Sequence, residues 1–155
     1  MNTKEFGRAG EKAAADYLKQ KEYRILGTNY LTAHGEIDII AYNKGRLVFV
    51  EVKTRSNDSY GAPMDAVDLK KIQRVLYSAE EFKTMHCRYG HIRLDCSFLC
   101  FRWTKKLRYT ETGYDIIEVF MTRDLQLEKI EQHINAFNKN TPNKIIKTKK
   151  SRYKY

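Results

Sequence analysis

The chain has 155 residues, 42% of them hydrophobic and 31% charged, which suits one globular domain with extensions and excludes a chain disordered throughout. No apolar run approaches the roughly 20 residues of a membrane span, and the polar start MNTKEFGRAGEK lacks the apolar stretch of a secretory signal. A cytoplasmic protein with no membrane partner is therefore expected.

The net charge of +10 is unevenly spread. Seven basic residues (Lys139, Lys144, Lys147, Lys149, Lys150, Arg152, Lys154) and no acid fall between Lys139 and Tyr155, leaving +3 for the rest. The expected organisation is a domain over residues 1–138 followed by a basic tail over 139–155, a distribution that fits a nucleic-acid-binding arm on a folded body. Cys87, Cys96 and Cys100 are an odd number without CxxC spacing, which argues against a disulfide framework. Cys96 and Cys100 fall in an apolar run where buried thiols are ordinary, so zinc with His86 and His91 is disfavoured.

In chain order, residues 4–22 place Phe6, Ala9, Ala13, Ala14, Tyr17 and Leu18 at amphipathic spacing, with Thr3 as the expected helix cap. Ile37–Ala41 and Arg46–Lys53 flank a Gly-containing turn and predict a β-hairpin. Alternation in its second strand sends Leu47, Phe49, Glu51 and Lys53 to one face and Val48, Val50 and Val52 to the other. Leu69, Ile72, Leu76 and Ala79 mark a second helix over about 64–83, and Ile92–Phe101 and Tyr114–Met121 read as two more strands. A short helix with Leu127, Ile130, Ile134 and Phe137 as its stripe is expected next. The fold class is α/β, an α+β mixed sheet flanked by helices.

Two apolar strand segments carry charges that need a reason, because burying them costs free energy unless they are paired or hold a cation. Glu36 and Asp38 lie two apart on the first, and Glu51 and Lys53 on the second. If the hairpin brings them to one side, carboxylates gather beside one ammonium. Such a cluster suits phosphodiester hydrolysis, since hard oxygen ligands hold Mg²⁺ or Mn²⁺ and leave positions for water and a phosphate oxygen.

Asp38, twelve residues, then Glu51-Val52-Lys53 resembles the PD-(D/E)xK nuclease superfamily, including Holliday junction resolvases. Gly7-Arg8-Ala9-Gly10-Glu11, Ala14 to Leu18, Gly35-Glu36-Ile37-Asp38, Leu47 to Lys53, Ala66-Val67 and Lys71 are together similar to the YraN family of predicted endonucleases, over about residues 6 to 120. The resemblance implies a resolvase-like core with Asp38 and Glu51 as metal ligands, the Val52 carbonyl as a third, and Lys53 as the catalytic lysine. It also brings Glu11 to the metal, while Glu36 remains an accessory acid. The superfamily's proline ahead of the first acid is replaced by Ile37, which touches no ligand.

Nucleic-acid contacts are expected from Arg8, from Lys70, Lys71 and Arg74 on the second helix, from Arg55 and Tyr60 after the catalytic strand, and from Lys147, Lys149, Lys150 and Arg152 in the tail. The expected function is a Mg²⁺- or Mn²⁺-dependent endonuclease acting on DNA rather than RNA and reading backbone and shape, for which chemistry on two strands would favour a homodimer. The alternatives are a non-catalytic nucleic-acid-binding module with the same fold, and a protein-interaction subunit whose acids form structural ion pairs.

Overall fold

The computed structural model describes residues 2–56, 69–92 and 107–138. Helix α1 spans Thr3–Gln20 and is followed by the antiparallel meander β1 (Arg24–Leu31), β2 (Glu36–Asn43) and β3 (Arg46–Ser56). Helix α2 (Leu69–His86) leads into the short strands β4 (Cys87–Arg88), β5 (His91–Ile92) and β6 (Leu107–Arg108), then β7 (Glu111–Met121) and β8 (Leu127–His133). The main sheet has the order β1-β2-β3-β7-β8, with β3 and β7 parallel at its centre and the other pairings antiparallel. It is a mixed α+β sheet with a helix on each face, the class expected from the sequence.

Binary patterning explains the layers. Leu47 and Phe49 of β3 pack with Ile72, Val75, Ala79 and Phe82 of α2, while Val48 and Val50 pack with Ala14, Tyr17 and Leu18 of α1. Every second β3 side chain thus serves one helix, as strand alternation dictates. Phe49 is fully buried, edge-on to Phe82 at 5.7 Å and stacked on Tyr114 at 5.8 Å.

Several expectations are corrected. Asn2, not Thr3, caps α1: its side chain accepts from Lys4 N while the Glu5 carboxylate accepts from Asn2 N, a reciprocal box that places Thr3 inside the helix. β1 was not expected, and it forms because Ile25, Leu26 and Tyr30 cover the two cores beside β2. The helix expected over Leu127, Ile130, Ile134 and Phe137 is replaced by β8 up to His133, with Ile134 and Phe137 beyond the strand: pairing with β7 satisfies its backbone, and only Ile130 and Phe137 of the stripe are buried. Of the strand expected over Ile92–Phe101, only Ile92 lies among the described residues, as do only residues 69 onward of the second helix. No described helix is long and apolar enough to cross a membrane.

α1 approaches β3 through Gly10, where an added Cβ would overlap the Thr54 hydroxyl. Gly10→Ala is expected to lower stability by about 1 to 3 kcal/mol through overpacking, measured by urea unfolding. Because Arg8 and Glu11 ride on the same turn, a small displacement of α1 also moves both of them.

Candidate functional site

The ladder between β2 and β3 ends at the pair Ile39–Val50, although both strands continue. The Asp38 side chain fills the gap: Oδ2 accepts a 2.6 Å hydrogen bond from Val52 N, taking the place of a main-chain acceptor. This contact fixes Asp38 near Glu51, whose ionisation the Asp38 carboxylate opposes. Glu51 follows Phe49 on the face toward α2, where Lys71 forms an ion pair with its Oε1. Glu11, on α1, lies close enough to feel Asp38, Glu36, Arg8 and Lys71. The site therefore sits where β2 and β3 part, with α1 supplying one acid and α2 one cation.

Its electrostatics are strained. Glu51 is only 2% exposed, and neither carboxylate oxygen has a hydrogen bond of good geometry among the described residues. Burial first, and then the neighbouring Asp38 carboxylate, push its pKa up to about 7 against the pull of Lys71 and Lys53. Asp38 is also raised, by burial and then by Glu36, with the Val52 N–H and Lys71 opposing. Glu11 moves the same way, through burial and the repulsion of Asp38 and Glu36. Burial would lower the pKa of Lys71, but Glu51, Asp38 and Glu36 together raise it. Carboxylates that hold protons this tightly are short of positive charge, which a divalent cation would supply. The oxygen donors fit a hard cation, with Lys71 the one positive charge already paired with Glu51 among the described residues.

Among the sequence-expected residues, the structure brings together Glu11, Glu36, Asp38, Glu51, Val52, Lys53 and Arg8. Lys53 is half-buried, opposite Glu118 in the parallel register, and makes no ion pair among the described residues. Lys71 joins the cluster through its ion pair with Glu51 while its side chain stays 46% exposed. Its position was readable, since it borders the buried stripe Ile72, Val75, Ala79 and Phe82. Lys70 and Arg74 are exposed near it. Arg55 is drawn inward: Nε donates to Glu118 Oε1 at 2.8 Å and the side chain is 16% exposed, so it is largely withdrawn from a phosphate. Tyr60, Lys147, Lys149, Lys150 and Arg152 lie outside the described residues.

A second group was not anticipated. Glu118, Glu131 and His133, on β7 and β8, offer ligand atoms within 4.8 Å of one another and could hold a metal ion. Two are buried, and all are engaged: His133 Nε2 lies 2.9 Å from Glu118 Oε2, Arg55 holds the other oxygen, and Lys129 pairs with Glu131 at 2.6 Å. The His133 contact, then Arg55, hold the Glu118 carboxyl below its ordinary range against burial. No sequence signal joins these residues, because the apolar spacing over β8 is that of a helix.

Fold and site together define a mixed-sheet α+β domain with a buried carboxylate cluster at an opening between two of its strands. The chain belongs to the Uncharacterised protein family UPF0102, whose model matches residues 10–119. It is 36% identical over 138 residues to a UPF0102 protein of Caldanaerobacter subterraneus subsp. tengcongensis, covering 88% of this chain and 98% of that one. A UPF0102 protein of Clostridioides difficile is 37% identical over 138 residues, covering 88% and 100%. A third, from Dictyoglomus thermophilum, is 34% identical over 137 residues, with 88% and 100% covered. The family's description carries no activity.

Proposed function

We propose that this chain is a divalent-metal-dependent endonuclease that hydrolyses phosphodiester bonds in DNA. The observation that carries this reading is the nearly inaccessible Glu51 carboxylate, set against Asp38 with Lys71 as its ion-pair partner. Two buried carboxylates held together are costly to a fold, whereas a divalent-cation site needs them.

Asp38, Glu51, the Val52 carbonyl and Glu11 are the residues that would hold Mg²⁺ or Mn²⁺. When bound, such an ion polarises a phosphate oxygen and lowers the pKa of water. The chain's own groups do the rest. The Val52 N–H orients Asp38, and Lys71 stabilises ionised Glu51. Lys53, two residues on and on the same face, can position the attacking water or offset charge developing on the phosphate. Lys70 and Arg74 lie where a strand backbone would run toward Lys71.

The Lys71–Glu51 ion pair favours one rival, a nucleic-acid-binding module in which lysine is the permanent counter-charge. A Mg²⁺/Mn²⁺ cleavage screen over single-stranded, flap, nicked and four-way-junction DNA separates them. Metal-dependent cleavage is expected, with Lys53→Ala reducing the rate about a hundredfold or more while retaining the metal-induced rise in melting temperature. Salt-sensitive binding without cleavage on any substrate would instead support the rival.

A further inference from the structure

The Thr32–Gly35 loop enters β2 just ahead of the acids and is clamped to α2. Thr32 Oγ1 lies 2.7 Å from the buried Ser78 hydroxyl, and accepts from His34 N at 3.1 Å and Gly35 N at 3.2 Å. Gly35 adopts φ +151°, and a Cβ there would meet Arg74 Cβ at 3.4 Å, so the loop backbone lies flush against the helix. The clamp holds two aromatic rings outward. His34 and Tyr77 pack at 5.4 Å with planes tilted by 40°, yet the His34 side chain is 52% exposed and Tyr77 is 60% exposed. Glu81 Oε2 lies 3.9 Å from His34 Nε2. Lys71, Arg74 and Tyr77 follow one another at three-residue spacing along α2, so the rings stand about 9 Å along the helix axis, and about 120° around it, from the cation that meets Glu51.

An exposed aromatic pair held by a buried hydroxyl contact, next to cations and beside a carboxylate cluster, matches the two components of single-strand binding: charge for the backbone and a flat apolar face for a base. A base inside a duplex has both faces covered, so only an unpaired or terminal base can stack there. On the reading of the site as a nuclease centre, we infer that His34 and Tyr77 form a stacking platform for an unpaired base beside the scissile phosphate. The substrate class is then a strand with unpaired bases, such as a flap, gap or single-stranded overhang, rather than continuous duplex.

The test uses the full chain in EDTA, so that nothing turns over, with 2-aminopurine placed in a single-stranded oligonucleotide, in a flap and in a covalently closed duplex circle of matched sequence, which has no terminal base. Tyr77→Ala is expected to lower affinity for the first two about tenfold or more, the loss of one stacked base, and to abolish the fluorescence quench while leaving duplex binding unchanged. Tyr77→Phe should restore both. Tyr77 is exposed, so thermal melts of the variants should match the wild type. Equal loss on duplex and flap, or no loss at all, overturns the platform. A change of sedimentation in Tyr77→Ala without any change in DNA binding overturns it as well, since the rings would then be a protein interface. Mn²⁺-dependent cleavage of the same oligonucleotides by the wild type reports separately on the nuclease reading, which can fail while selective stacking stands.

Discussion

Arg46→Ala is expected to destabilise the fold by about 3 to 5 kcal/mol, the largest stability loss anticipated for any one change outside the apolar core. Arg46 opens β3 and reaches across to β7, where its Nη2 donates to Asp115 Oδ1 at 2.7 Å and its Nη1 to Oδ2 at 3.2 Å. Nη2 also donates to Asn135 Oδ1 at 2.7 Å. Asp115 is 0% exposed and further accepts from Gln132 Nε2 at 2.8 Å and Asn135 N at 2.9 Å. Removing the guanidinium leaves a buried carboxylate with neutral donors alone, and the penalty of an uncompensated buried charge exceeds the modest net worth of the pair itself. Adding Asp115→Asn to Arg46→Ala should recover part of the loss, because the amide oxygen can still accept from Gln132 while the charge is gone. Urea unfolding of the two variants decides it: a double variant no more stable than Arg46→Ala alone would show that packing over Gly113 matters, where an added Cβ would overlap the guanidinium.

This network shows which part of the fold was hidden in the sequence. Period-two alternation identified both faces of β3 because the strand is sandwiched, with each face meeting its own helix. β8 satisfies i, i+3, i+4 spacing by accident. Its partner β7 supplies the backbone hydrogen bonds and, through Asp115 and Glu118, the partners of Gln132 and His133. Those are long-range facts, and a local pattern does not contain them. β1 was missed for a similar reason: its exposures do not alternate, since it is the sheet's edge and has an irregularity between Ile25 and Gly27.

The candidate site was more legible, and for an energetic reason. Asp38, Glu51 and Lys53 interrupt apolar strands, where an unexplained charge is costly, so they stand out without any coordinates. Glu11 carried no such mark on a polar helix and entered through family resemblance alone. What the sequence could not convey is how the carboxylates meet. Whether the hairpin brings them to one side is open in the sequence. The ladder stops at Ile39–Val50, and Asp38 reaches the Val52 N–H through its side chain. Lys71 was marked as a basic residue of α2, but its role as the partner of Glu51 follows only from the packing of α2 on β3.

Glu51→Gln is expected to abolish metal-dependent cleavage, by at least about a hundredfold, and at the same time to raise the melting temperature of the metal-free protein at pH 8. The second effect follows from the site's charge. Burial and Asp38 raise the Glu51 pKa from an ordinary 4.5 to about 7, so the native state binds this proton more tightly than the unfolded chain does. The associated stability is fully present below about pH 4.5 and is lost as pH rises through about 7, a change on the order of 3 kcal/mol at about 1.4 kcal/mol per pH unit. Asp38, raised for the same leading cause, adds to the slope with the same sign. Metal-free wild type should therefore melt several degrees lower at pH 8 than at pH 5 through this site, given about 2 to 4 °C per kcal/mol for a domain of this size. Gln fills the same space without the charge and should flatten that dependence. Mn²⁺ should reverse it in the wild type, because a ligand that binds only the native state stabilises it by mass action, and the gain should shrink toward pH 5 as protons compete for the same oxygens. Differential scanning calorimetry at pH 5 and pH 8, with and without Mn²⁺, reads all of this from two proteins. If wild type and Glu51→Gln melt alike at pH 8 and neither responds to Mn²⁺ with DNA present, Lys71 neutralises Glu51 permanently and the cluster is a structural ion pair. DNA belongs in that control because a substrate phosphate commonly completes the coordination of a hard cation held by few protein oxygens.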